Sequence, residues 1–109
     1  MKKTHENEKD IEFVEVVPSI FRKTLAYNDD VMMCIFKLEK DVKIPMHDHK
    51  ANQIGYVVKG KMKFITESSE FIVKTGSSYV FDSYEKHAAK VLEDTRVVEV
   101  FSPTREEYI

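Results

Sequence analysis

From residue 11 onward the sequence is a succession of short apolar or alternating runs, each closed by a turn signal. No stretch is long and amphipathic enough for a helix. Period-two patterning broken by Gly, Pro, Asn, Asp and Ser is the mark of a sheet protein. The runs cover residues 11–17, 21–27, 31–38, 42–47, 53–59, 61–66, 71–74, 78–81, 87–92 and 96–101. Gly60, between the fifth and sixth, reads as a tight hairpin, and Glu93-Asp94 as a turn. Residues 105–108 have room for one helical turn. About ten short strands so closely spaced predict an all-β sandwich or barrel.

Residues 53–58 constrain that barrel further. Gln53, Gly55 and Val57 share one face of an extended strand, and Ile54, Tyr56 and Val58 share the other. Both faces are largely apolar, so neither suits water. One face should line the barrel. The other needs cover, either from a second subunit or from the N-terminal strand, and a homodimer is the expectation.

With 109 residues the chain makes one domain. A domain of this size buries roughly 60–70% of its unfolded surface, enough for a core without disulfide staples. Residues 11–109 form that domain. Residues 1–10, polar throughout apart from Met1, are expected to be a mobile tail. They hold no apolar stretch of the kind a secretory signal needs, and nothing approaches the length of a membrane span.

A net charge of -2 with both signs interspersed offers no basic stripe for nucleic acid or a membrane surface. The one cysteine, Cys34, excludes an intrachain disulfide and agrees with a reducing, cytoplasmic setting. Cys34 sits in the apolar run Met32-Met33-Cys34-Ile35-Phe36, where a small core residue is expected.

The chemistry-bearing residues are His47-Asp48-His49, then Gln53, then a lone His87. In an extended chain His47 and His49 project to one side. Gln53 keeps the same parity and can close in from a following strand, and a folded barrel can bring in His87. Three neutral imidazoles and one carbonyl oxygen suit a divalent transition metal with positions left open to substrate. Ni, Zn, Mn and Fe all fit the set. The competing view is two solvated histidines on a strand edge and one buried histidine near Tyr84. Against it, only His5 of the four histidines lies away from a strand-like run.

These residues resemble a known family. His47-x-His49-x3-Gln53-x6-Gly60 is similar to the first motif of the cupins, with Gln where Glu is commoner, and Gly76 followed by His87 is similar to the second. The strand-turn layout extends the resemblance over residues 18–105. It implies a single-domain jelly-roll barrel, a double-stranded β-helix, with a metal near one end. The second motif departs from the family pattern: Asp82 and Tyr84 stand where a proline and a glycine are usual. Asp-Ser can form its own turn through a side-chain acceptor.

The C-terminal piece Glu99-Val100-Phe101-Ser102-Pro103-Thr104-Arg105-Glu106-Glu107-Tyr108 carries a narrower resemblance, to the KdgF-like cupins of pectin and alginate breakdown. Those proteins open 4,5-unsaturated cyclic uronates to linear keto acids. The resemblance implies a sugar-acid substrate, with Glu99, where Asp is usual, as base and proton shuttle. It implies Arg105 as the grip on the substrate carboxylate and Phe101 as a wall for the sugar ring. Parity agrees, since Val97, Glu99 and Phe101 share one face. An inward carboxylate needs a partner or a function, so a salt bridge from Glu99 to an inward Lys or Arg is the structural alternative. A surface role for Arg105 and a core role for Phe101 are the others. Two further functions fit the same fold: an iron-dependent dioxygenase, and a non-catalytic cupin that binds or senses a small carboxylate.

Overall fold

The computed structural model describes all 109 residues, Met1 to Ile109. Eight strands form: β1 (Val14–Val17), β2 (Ile20–Tyr27), β3 (Met32–Leu38), β4 (Lys43–His47), β5 (Asn52–Thr66), β6 (Glu70–Lys74), β7 (Ser78–Phe81) and β8 (His87–Ser102). A short 3-10 turn precedes them at Glu8–Asp10 and another follows at Glu106–Tyr108. All pairings are antiparallel. The architecture is the jelly-roll barrel expected from the strand pattern.

Two long strands make the barrel. The first half of β5 pairs with β7 and with the second half of β8; its second half pairs with β6 and with the first half of β8. β8 likewise pairs with β4 early and with β3 late. One layer therefore reads β1-β2-β3-β8-β5-β7 and the other β4-β8-β5-β6, with β5 and β8 bending side by side from one into the other.

That bend corrects two expectations. Gly60 is not a hairpin, and Glu93-Asp94 does not end a strand: β5 and β8 run through both positions. The pairing register shifts between Val57 and Met62, so the strands bulge and turn the corner together. Gly60 has φ +116°, and a Cβ there would lie 2.4 Å from Thr95 Oγ1. Thr95, buried at the corner, accepts from Lys61 N through that oxygen at 3.0 Å. Ten expected strands are therefore eight.

The N-terminal residues are also held, contrary to expectation. Lys3 pairs with Tyr27 as a β-bridge, and Glu8 forms an ion pair with Arg96 at 2.7 Å. Lys23 Nζ donates to the Glu8 carbonyl at 2.7 Å. Partners from two other strands, β2 and β8, explain the order in a polar stretch.

Inward residues alternate along β8, where His87, Ala89, Val91, Thr95, Val97, Glu99 and Phe101 are all buried. Of these, Ala89, Val91, Val97 and Phe101 meet Met32, Cys34, Phe36 and Leu38 from β3 and Val57, Met62 and Phe64 from β5 in one core cluster. Burying each of the larger side chains contributes roughly 1.5–3 kcal/mol. The outward face of β5 is uncovered: Ile54, Tyr56 and Val58 are 53%, 51% and 44% exposed. β1 does not cover it, because it pairs with β2 at the far edge of that layer.

Candidate metal centre and catalytic pocket

His47 ends β4, His49 lies just beyond it, and His87 opens β8 directly across from His47. The ligand nitrogens of the three lie within 4.8 Å of one another. Each ring is oriented by its own backbone. His47 Nδ1 lies 2.8 Å from the Pro45 carbonyl, His49 Nδ1 2.8 Å from that of Ala51, and His87 Nδ1 2.8 Å from that of Glu85. A carbonyl can only accept, so each Nδ1 carries a hydrogen. In the neutral ring that leaves an Nε2 lone pair. Burial holds the His49 and His87 imidazoles below their usual range, toward that neutral form.

The loop between β7 and β8 sets His87 against the other two. Tyr84 adopts φ +61°, the left-handed conformation that favours glycine, where the family pattern has one. Its N–H donates to the His49 carbonyl at 2.8 Å, and Ser83 N donates to Asn52 Oδ1 at 3.0 Å. Asp82 and Glu85 close the turn, with Asp82 N donating to Glu85 Oε1 at 2.9 Å and Glu85 N to the Asp82 carbonyl at 3.0 Å. The departures from the motif leave the histidine in place.

Two features fit a bound cation. His87 Nε2 is buried with no hydrogen-bond partner, a costly state for a polar atom. Further, Gln53 Nε2 donates to Glu99 Oε2 at 2.5 Å, which turns Gln53 Oε1 toward the histidines. That oxygen lies 3.0 Å from His49 Nε2. Both atoms are acceptors, and a separation near 3 Å is what two adjacent ligands about 2.1 Å from one ion would have. The triad can hold a metal ion, and three imidazoles with an amide oxygen suit a divalent transition metal.

A cavity of about 300 Å³ opens beside the triad, lined mainly by apolar side chains, with His47, His87, Gln53, Glu99, Phe101 and Arg105 among its walls. His49 faces an adjoining polar groove that also borders Arg105. All seven residues singled out from the sequence therefore meet in one place.

Glu99 is buried and forms no ion pair; every ion pair of the chain lies elsewhere. Its Oε2 accepts from the Tyr79 hydroxyl at 2.6 Å and from Gln53. Burial pushes its carboxyl above the usual range, opposed by those two hydrogen bonds and by the Arg105 charge. Arg105 Nε donates to Glu107 Oε1 at 2.8 Å. Its guanidinium lies 4.2 Å from the Tyr108 ring centroid and 5.3 Å from that of Phe101. Stacking and the ion pair hold the fork at the mouth, with its terminal nitrogens free of protein partners. Phe101 packs edge-on against Phe36 and Tyr108, so it is a core aromatic as well as a cavity wall.

Sequence reasoning missed Tyr79 and Tyr108. The signal for Tyr79 was its parity with Phe81, since a tyrosine turned into a core needs a partner for its hydroxyl.

The cupin domain family matches residues 34–102. Over 97 residues the chain is 32% identical to the pectin degradation protein KdgF of Dickeya dadantii (strain 3937), covering 87% of this chain and 88% of that protein. The solved structure of KdgF from Halomonas sp. superposes with a TM-score of 0.89 at 30% identity, covering 94% of this chain and 97% of the other. An RmlC-like cupin from Shewanella frigidimarina NCIMB 400 shares the fold, with a TM-score of 0.92 at 20% identity over 98% and 96% of the two chains. The chain belongs to the cupin family, in its KdgF-like group.

Proposed function

We propose that this cupin opens the ring of a 4,5-unsaturated uronate of the kind released in pectin breakdown, giving the linear keto acid. The observation that carries the reading is a buried carboxylate, Glu99, beside the histidine triad with no cation paired to it. The identity to a pectin degradation protein supports the substrate class.

The chemistry follows from the residues. Glu99 takes the proton of the anomeric hydroxyl. The anomeric carbon becomes a carbonyl, its bond to the ring oxygen breaks, and the electron pair leaves on that oxygen as an enolate. Glu99 then returns the proton to the enolate carbon, so the overall change is an isomerisation. Arg105 grips the substrate carboxylate, for which its planar fork is suited. Phe101 and the apolar lining exclude water and strengthen these contacts. A divalent metal held by His47, His49, His87 and Gln53 would supply positive charge for an anionic oxygen. The reading assigns the reaction to the cytoplasm, where a free thiol such as Cys34 persists, and to a homodimer built on the outer face of β5.

Turnover of an unsaturated uronate, followed by loss of its double-bond absorbance with and without chelator, tests the reading. Glu99→Gln is expected to lower the rate by roughly 10²–10⁴-fold with metal content unchanged. A Glu99→Gln protein that melts lower but keeps its specific activity would make Glu99 structural and end the proposal.

A further inference from the structure

Tyr79, Gly55 and Glu99 form one cross-strand row: Gly55 pairs with Tyr79 on one side and with Glu99 on the other. Neighbouring strands lie about 4.8 Å apart, so the outer two residues of the row are too distant for an ordinary side-chain contact. They touch because the tyrosine lies across the middle position. A Cβ on Gly55 would fall 2.3 Å from Tyr79 Cζ and 2.4 Å from its hydroxyl oxygen. No side chain other than hydrogen leaves that path open. The ring is held there by Phe64, with centroids 4.5 Å apart, and by Phe81 at 5.8 Å.

We propose that Tyr79 is the positioning residue for Glu99, and that Gly55 is the gap through which it reaches. The Tyr79 hydroxyl and the Gln53 amide both bind Oε2. Oε1 receives no hydrogen bond from the protein and is the oxygen left to exchange a proton with substrate. Burial and the adjacent carboxylate keep the phenol protonated, so it remains a donor. The inference rests on Glu99 as the proton carrier and adds how that carboxylate is aimed.

Tyr79→Phe keeps the ring and removes the hydroxyl. With an unsaturated uronate as probe, kcat should fall about 10–100-fold, the worth of a hydrogen bond to a charged group, while KM and bound metal stay as in the parent. In a Glu99→Gln background the same change should cost nothing further, because the group it aims has lost its function. Gly55→Ala keeps the hydroxyl but blocks its path, and should lower kcat to a similar degree. Parent kcat in Tyr79→Phe or in Gly55→Ala, or an equal loss in the Glu99→Gln background, overturns the inference. Full activity in Glu99→Gln removes the proton carrier itself, and the inference falls with it. Loss in Glu99→Gln beside an unaffected Tyr79→Phe overturns the positioning role alone.

Discussion

The His87 imidazole lies flat on the Phe81 ring, with centroids 4.2 Å apart and planes inclined by only 5°. Phe81 ends β7 and His87 begins β8, so the stack spans the loop that delivers the histidine. The ring face blocks one swing of the imidazole, and the bond from Nδ1 to the Glu85 carbonyl fixes its rotation. Together they leave Nε2 one direction, toward His47 and His49. Groups that orient a ligand are typically worth 10–100-fold in metal affinity. Phe81→Leu should therefore weaken metal binding by about that factor, read by competition with a chelating dye. Unchanged affinity would mean that the carbonyl bond alone sets the ring.

Metal should also stabilise the fold, because the buried Nε2 of His87 gains a partner. At a free concentration 100 times Kd, a ligand bound only by the folded state adds about 2.7 kcal/mol. In a domain this small that corresponds to a rise in Tm of roughly 10 °C or more. The measurement is a thermal melt of metal-stripped protein with and without a divalent ion. His87→Ala should abolish the shift. An equal shift in that variant would place the ion elsewhere.

Arg105→Lys should act on substrate binding. The guanidinium stacks on Tyr108 and binds Glu107 through Nε, which leaves its terminal nitrogens for a carboxylate. Lysine keeps the charge but loses the planar fork. KM for the uronate should rise about tenfold, with a smaller change in kcat, because one charge-assisted hydrogen bond of two is lost. A fall in kcat at constant KM would move Arg105 from holding substrate to stabilising the reaction itself.

The pattern of 53–58 was legible because alternation is local: Gln53 and Val57 face in, and Ile54 and Tyr56 face out. Glu99 and Phe101 were placed inward by the same parity. The histidines were found because their spacing belongs to two short segments. Gly60 misled because a lone glycine between apolar runs looks the same at a hairpin and at a bend. What distinguishes them is Thr95 on the neighbouring strand, 35 residues away. The contact of Tyr79 with Glu99 skips a strand, so it depends on topology that no local pattern carries. The N-terminal residues looked mobile because their partners, Tyr27 and Arg96, are likewise remote.

Cys34 should be inert in the native protein. It is fully buried, and burial pushes its thiol up to about 11. The thiolate is the reactive form. At pH 8, about three units lower, only on the order of one thiol in a thousand is ionised, and that one is out of reach. A thiol-reactive dye should therefore label the folded chain hardly at all at pH 8 and label it fully in denaturant. Rapid labelling without denaturant would mean that β3 opens locally.

The outer face of the β7-β5-β8-β3 layer predicts a homodimer. Pairing places Val80, Ile54, Val100 and Met33 in one row across four strands. Val80 is 60% exposed, Ile54 53% and Met33 40%, and Tyr56 and Val58 extend the patch along β5. A contiguous apolar patch on this scale marks an interaction surface, and a second copy offers the same patch to itself about a two-fold axis. A stable interface of this kind buries about 1,600 Å² in total. Light scattering at micromolar concentration should report a mass near twice that of the chain. Ile54→Lys puts a charge in the middle of the row, where a two-fold axis would bring it close to its own copy, and should dissociate the dimer into folded monomers. Because Ile54 points away from the cavity that Gln53 faces, those monomers should still bind metal. A parent protein that runs as a monomer would refute the prediction, and an Ile54→Lys protein that stays dimeric would move the interface to the exposed valines of β1.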